Sequence, residues 1–364
     1  MNKQNKVLIP LIAVACGILL GVLILTLSGK NGGTLFVNLL KGASGLDLGN
    51  PNSAMNLRYP GEFLVSTMPI VLTGLAIGFA YRTGMFNIGA EGQVIMGSLA
   101  SCAVAILVPM PQGIHALVCL IAGGLAGAMW AFIPGILKTK FNISEVVTGI
   151  MLNYTALYSA NYFLRLLPGS SVVRTENIPT SASLSSSFLS SLTNNSRLHW
   201  GFIVVILCVI GYWFILEKTS FGYRLRATGF NKEGARFAGI EVNRSIVLSI
   251  MISGFLAGLA GAIVLQGTFN YGRVMTAVDN YGFDGISVAL VGGCNAIGVM
   301  LSGLLFGLLK VTQPLLQTSG VPKEIGEIIS SSIVFFVALQ YAIEYYLTKM
   351  KKKRKPVQQK GGNQ

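Results

Sequence analysis

The chain has 364 residues, 52% of them hydrophobic and 11% charged, with a mean hydropathy of +0.64 and a formal net charge of +14. Soluble domains carry roughly 25% charged residues, so this balance excludes an ordinary soluble enzyme and indicates an integral membrane protein. The basic residues flank apolar runs instead of forming one patch, which fits membrane orientation and speaks against nucleic acid as a partner.

Apolar runs at residues 7–27, 63–81, 93–108, 113–137, 202–216, 245–265 and 328–347 approach or reach the roughly 20 residues that carry a helix across about 30 Å of hydrocarbon. Alternating segments of barrel type are absent, so the fold class is all-α integral membrane protein. The first run follows Lys3 and Lys6 as a signal peptide would, but it is long and ends without a small-x-small cleavage site. It reads as a retained span. Residues 283–309 would form a single span by hydropathy, yet Gly292-Gly293-Cys294-Asn295 interrupts them, so two short elements are expected at 283–293 and 296–309. With a further helix closing the stretch 63–163, about ten transmembrane elements result. That even number suits cytoplasmic placement of both termini, since Lys3 and Lys6 precede the first span and Lys349, Lys351, Lys352, Lys353, Arg354 and Lys355 follow the last. The element at 283–293 is too short to cross unaided and is expected either as half of a pair or as a re-entrant segment.

The hexapeptide Gly84-Met85-Phe86-Asn87-Ile88-Gly89 returns as Gly267-Thr268-Phe269-Asn270-Tyr271-Gly272, each time after a run containing Gly-Leu-Ala, at Gly74 to Ala76 and Gly258 to Ala260. Gly and Asn interrupting apolar runs at corresponding positions of two halves is the pattern of transporters whose broken helices line a substrate path. Elements two to five (63–163) then correspond to seven to ten (245–347). An offset of five elements turns one half over relative to the other, so an inverted repeat is expected within one transmembrane domain, 1–348, followed by a basic tail, 349–364. Most of the 27 Lys and Arg fall on the inner side of this arrangement. Small-xxx-small pairs at Gly17/Gly21, Gly74/Gly78, Gly123/Gly127, Gly254/Gly258 and Gly303/Gly307 allow close helix contact. The five cysteines (Cys16, Cys102, Cys119, Cys208, Cys294) lie in apolar runs without a Cys-x-x-Cys pair and read as packing residues, so no metal or disulfide is expected.

Two polar segments interrupt the membrane pattern. The outer one, about 165–200, is Ser-rich and shows no regular periodicity; it reads as a flexible loop, or as a landing surface for an extracellular partner. In the inner one, 217–244, Asn231 can cap a short helix over 232–238 with Glu233 in its first turn and Gly239 at its end, presenting Arg236 and Phe237.

The stretch from Gly222 through Arg224, Arg226, Gly229, Asn231, Glu233, Gly234, Ala235, Arg236, Phe237 and Gly239 to Ile240 resembles the coupling segment of the permeases shared by ribose, branched-chain amino acid and nucleoside ABC importers. Residues 84–93 and 281–290 resemble the membrane motifs of the same family, and the wording is similar to that of the larger permease subunit of bacterial purine-nucleoside importers. The resemblance spans about 60–347 and implies a type II importer permease in a bacterial cell membrane. Its implied partners are a second homologous permease subunit, an ABC ATPase subunit and a lipid-anchored substrate-binding protein. It also implies that residues 229–239 couple to the ATPase and that binding-protein contacts carry most of the selectivity.

The chain has no Gly-x-x-x-x-Gly-Lys-Ser/Thr loop to cradle phosphates, so ATP is expected to be used by the partner, with no cofactor bound here. For a nucleoside, a path needs aromatic faces for the base and amides for its edges and the ribose. Phe86, Asn87, Asn153, Tyr154, Phe269 and Asn270 are the candidates, each taken singly reading first as ordinary helix packing, and Glu91 and Asp284 either cap their helices or face the same path. An ion-coupled transporter would need intramembrane carboxylates, for which Glu91 and Asp284 are the open candidates, while Glu145 and Glu327 read as helix N-terminal dipole partners. An enzyme is disfavoured, because His115 and His199 sit near span ends and no nucleophile lies beside a base.

Overall fold

A computed structural model describes residues 3–47 and 55–339. The basic tail, with the end of the last predicted span, lies outside them. In chain order the helices are α1 (Lys3–Leu27), α2 (Gly33–Ser44), α3 (Arg58–Arg82), α4 (Ala90–Leu107), α5 (Ile114–Phe141) and α6 (Glu145–Arg165). A strand β1 (Arg174–Asn177) and a short helix α7 (Ser187–Leu192) follow, then α8 (Gly201–Lys218), α9 (Ser220–Phe230), α10 (Lys232–Phe237) and α11 (Val242–Ile263). A π-helical turn (Val264–Phe269) extends α11, and the chain ends with β2 (Tyr271–Arg273), α12 (Tyr281–Val291), α13 (Ala296–Thr318) and α14 (Lys323–Ala338).

The described residues 3–35 and 316–339 form one compact unit in which α1 packs on α14, with Gly21 against Ile329. The second unit, residues 36–315, holds the remaining helices. Six described helices are long and apolar enough to cross a membrane. Large apolar side chains also face outward, as on α8 with Ile206, Leu207, Ile210 and Phe214 exposed. An apolar surface of that kind is stable only against lipid or a partner subunit. The protein is an all-α, multi-pass membrane protein.

Each of the ten expected elements has a helix, and the break at 292–295 is where the sequence places it. Gly293 and Cys294 adopt left-handed backbone (φ +60° and +52°), and Asn295 Oδ1 accepts from Gly298 N at 2.8 Å to start α13. The two arms are unequal, however. α13 runs on to Thr318, while α12 has only 11 residues, about 16 Å of helix against a core of about 30 Å.

Within the second unit α3 packs on α12, and α11 on α4. At its centre the Gly123/Gly127 face of α5 meets the Gly254/Gly258 face of α11. A Cβ on Gly127 would lie 2.7 Å from the Gly258 Cα, and one on Gly97 of α4 only 2.5 Å from that same atom, so three backbones converge where no side chain fits. Dispersion between closely approached backbones holds such contacts where lipid removes the hydrophobic drive.

The segment 165–200 is not the irregular loop expected of it. β1 pairs antiparallel with β2, Arg174 opposite Arg273 and Asn177 opposite Tyr271, and α7 is capped by Ser186, whose Oγ accepts from Leu189 N. Strands of four and three residues whose partners lie a hundred positions apart leave no local periodicity to read. Glu62 near the start of α3 fastens the same segment, accepting from the Arg197 guanidinium (Nη2 at 2.6 Å) and from the Arg197 backbone N (3.0 Å).

Candidate functional site

Helices α4 and α12 meet at Glu91. It lies in the first turn of α4 and is 1% exposed. Its Oε1 accepts from Asn280 N at 3.0 Å and its Oε2 from Gly282 N at 2.5 Å, so the side chain caps α12 from across the repeat interface. The N-termini of α4 and α12 thus converge on one carboxylate, and their N–H groups and dipoles both favour its negative charge. α12 needs this external cap because Asn280 at its N-cap position is left-handed (φ +66°) and its side chain makes no cap bond. One turn on, Asp284 pairs with Lys310 of α13 at 2.8 Å, and the Lys310 ammonium lies 4.3 Å from the Tyr281 ring centroid.

Beside Glu91 is a cavity of about 30 Å³, lined by Glu91, Phe269, Arg273, Asp279 and Tyr281 with apolar residues of α4, α6 and α11. Glu91 and Phe269 are thereby brought together, and the other candidates are distributed otherwise. Asn87, 2% exposed, exchanges two hydrogen bonds with Gln93 (2.8 and 3.0 Å) and donates to Ser253 Oγ at 2.7 Å, which in turn donates to Ala76 O. Asn153 of α6 accepts from Gly92 N (2.8 Å) and donates to Ile88 O (3.0 Å), clamping the start of α4. Both amides are spent inside the protein. Phe86 is half-buried with its edge against Tyr81. Tyr154 faces outward, in line with Tyr158 and Tyr162 on one side of α6, all well exposed.

Asn270 ends the π-helical turn in left-handed conformation (φ +60°). Its Oδ1 accepts from Ser183 Oγ at 2.7 Å, its Nδ2 donates to Ser185 Oγ at 3.0 Å, and its backbone O accepts from Ile178 N. The second broken element is therefore held by the segment 165–200, as Gln266 also shows by donating to Ala182 O.

The first broken element is held by the segment 217–244 instead. Asn231 Oδ1 accepts from Gly234 N at 3.0 Å and starts α10, Glu233 pairs with Arg236 at 3.2 Å, and Gly239 (φ +78°) ends the turn. Ala235 is buried with Ala80, Met85 and Val242, whereas Phe237 is 93% exposed. Gly229 lies on the turn at the end of α3, and Glu217 bridges Arg82 (2.7 Å) and Arg226 (2.8 Å). Arg82 reaches on to Cys294 O, which Tyr212 also donates to at 2.7 Å.

Sequence reasoning missed Phe230, 95% exposed at the end of α9 near Phe237, along with Lys310, Arg273 and Asp279. Lys310 carried a signal. A lysine in an apolar run is an intramembrane charge, and only the carboxylates had been weighed.

Residues 59–339 match the family described as branched-chain amino acid transport system / permease component. Over 356 residues the chain is 42% identical to the guanosine ABC transporter permease protein NupP of Bacillus subtilis, covering 97% of this chain and 99% of that protein. It is 35% identical to the nucleoside ABC transporter permease protein NupB of Lactococcus lactis subsp. cremoris, covering 96% and 95%. To the glucose ABC transporter permease protein TsgB13 of Haloferax volcanii it is 32% identical, covering 76% and 75%. With a family match over most of its length and relatives that share that length, the chain belongs to the branched-chain amino acid transport system permease family.

Proposed function

We propose that this chain is a membrane-spanning permease subunit of an ATP-driven importer that carries a nucleoside, a purine nucleoside foremost, into a bacterial cell, with both termini cytoplasmic. The observation that carries this reading is the 42% identity to a guanosine permease across essentially the full length of both chains. ATP is used by a partner ABC ATPase, since this sequence has no phosphate-binding loop. The ATPase seats on α10 and the end of α9, where Phe230 and Phe237 stand out of the surface as unfilled apolar knobs. Its closure presses Gly229 on the end of α3 and rocks the repeats about Glu91. A second, homologous permease covers the tyrosine face of α6, and a lipid-anchored binding protein delivers substrate to the ordered outer segment.

A sugar importer is the second reading, favoured by the 32% identity to a glucose permease over 289 residues. An ion-coupled mechanism gains little support. Asp284 is paired with Lys310 and Glu91 with two backbone N–H groups. The deciding experiment is uptake of labelled guanosine, inosine, adenosine, ribose and glucose by proteoliposomes holding the chain with its ATPase, second permease and binding protein. ATP-dependent purine-nucleoside uptake is expected. Sugar uptake without nucleoside uptake, or uptake that ignores ATP and collapses with the proton gradient, would overturn the assignment.

A further inference from the structure

A groove of about 500 Å³ opens beside the β1–β2 pair, floored by Arg174, Tyr271, Arg273, Met275, Thr276 and Asp279. Four of the residues around it, Tyr271, Arg273, Met275 and Asp279, also line the buried cavity that ends on Glu91. Groove and cavity are two sides of one partition. The partition is an ion pair, with Arg273 Nη2 on Asp279 Oδ2 and Arg273 Nη1 3.3 Å from Asp279 Oδ1. Behind it the Arg273 guanidinium lies 3.9 Å from the centroid of Phe269, covering one face of that ring. The strap between the paired residues is tied near its start, where Val274 N donates to Val173 O at 2.9 Å and Asn161 of α6 donates to Met275 O at 2.7 Å and accepts from Met275 N at 2.9 Å.

We propose that groove and cavity form one nucleoside-acceptance site in which the Arg273–Asp279 pair is a bolt displaced by substrate, and Phe269 is the stacking platform for the base. The chemistry fits each part. As it stands the cavity has room for about one water molecule, so a nucleoside cannot pass while the bolt is shut. The pair is mostly buried, with roughly a quarter of its side-chain surface in solvent, and the cost of desolvating both charges offsets much of their attraction, so a ligand offering comparable contacts to each can part them. When Arg273 swings off Phe269, a cation–π contact is exchanged for base stacking on the same ring face. The freed carboxylate of Asp279 then accepts from ribose hydroxyls, while the guanidinium donates to acceptor atoms on the base edge. The inference rests on the nucleoside reading above and names residues that reading does not.

The test uses the full complex in proteoliposomes, with the five native cysteines replaced and nucleoside uptake of that background verified. Arg273→Cys/Asp279→Cys, bridged by a short bis-methanethiosulfonate, is expected to lose guanosine uptake at least about tenfold at every concentration, and on reduction to recover maximal rate with a KM raised at least about tenfold, since the path is open but both ligand groups are gone. Phe269→Ala is expected to raise the KM for guanosine about tenfold with little change in maximal rate, and Phe269→Trp to restore it. A purely structural role for Phe269 would instead lower abundance and maximal rate in both variants. Undiminished uptake by the bridged variant, or an unchanged KM in Phe269→Ala, overturns the site. A background complex that imports no nucleoside overturns the functional reading instead, so the two failures are distinct.

Discussion

Gly229 and Gly84 lie backbone against backbone. A Cβ on Gly84 would stand 3.2 Å from the Gly229 Cα, and one on Gly229 would stand 2.8 Å from the Thr83 carbonyl carbon and 2.9 Å from the Gly84 nitrogen. Gly84 also needs its left-handed backbone (φ +75°), which a side chain disfavours. The end of α9 therefore bears on the turn that opens the first broken element with no intervening side chain, and a push on one reaches the other without slack.

The first prediction follows from that contact. Gly229→Ala inserts a methyl group against main chain that cannot rotate away, a strain of about 1–3 kcal/mol. Uptake per ATP hydrolysed is expected to fall roughly tenfold, with hydrolysis by the complex continuing. The measurement is the ratio of labelled guanosine imported to phosphate released. A ratio equal to wild type would mean that force does not travel through this contact.

A second prediction concerns Asn87. Replacing it by Leu leaves the buried Gln93 amide without the two bonds it makes in the native protein, a loss of about 1–3 kcal/mol. The detergent-solubilised variant should melt earlier and be less abundant. Asn87→Leu/Gln93→Leu should recover much of the loss, because removing both polar partners is far less costly than orphaning one. If Asn87→Leu melts like wild type but transports slowly, the amide serves the path after all.

The contrast between Asn87 and Phe269 marks the boundary of what could be read from residues alone. Span positions were legible because apolar length is a direct physical requirement of the bilayer: residues 63–81 became α3 (Arg58–Arg82), and the expected helix over 232–238 became α10 (Lys232–Phe237), capped by Asn231 as expected. The break at 292–295 was legible because Gly293 readily takes left-handed backbone and Asn295 can start a new helix with its side chain. Polar residues at the helix breaks were another matter. An amide that lines a path and an amide that ties two helices together have the same spacing, and Asn87 and Asn153 separate from Glu91 only once partners and distances are known. Tyr154 faces outward, which was not legible because the 21 residues of α6 carry no sign of which side meets a partner. The β1–β2 pairing and the serines that hold Asn270 depend on contacts between segments about a hundred residues apart.

A third prediction is a pH dependence at His199, in the outer segment. This imidazole is fully buried, its Nδ1 accepts from Gly201 N at 3.1 Å, and burial with Arg197 nearby pushes its pKa down to about 4. In the unfolded chain it would titrate near 6.5. Above that value both states are neutral and stability is unaffected. As pH falls from about 6.5 to about 4 the unfolded state alone takes up the proton, so stability declines through that window, by roughly 3 kcal/mol if the whole shift is realised. Melting of the solubilised protein should drop between pH 7 and pH 5, and His199→Gln should flatten that part of the profile. An unchanged slope in the variant would assign the pH dependence to other groups.

The last prediction tests the ATPase seat. Phe237 and Phe230 are 93% and 95% exposed on consecutive short helices of the inner segment, while Ala235 between them is buried against Ala80 and Met85. Two large aromatic rings held clear of the surface gain nothing within the chain, so truncating either should leave its own stability within about 0.5 kcal/mol. If they are instead the knobs of a docking interface, each truncation removes a contact worth about 2 kcal/mol or more. Phe237→Ala and Phe230→Ala should therefore insert and melt like wild type, yet bind the ATPase subunit at least about tenfold more weakly and lose substrate-stimulated hydrolysis. Glu217→Gln supplies the contrast. It weakens the Arg82–Glu217–Arg226 bridge inside the segment, so it should disturb coupling with much less effect on binding. Normal ATPase affinity in both phenylalanine variants would move the docking surface elsewhere and leave α10 as an ordinary capped turn of a basic loop.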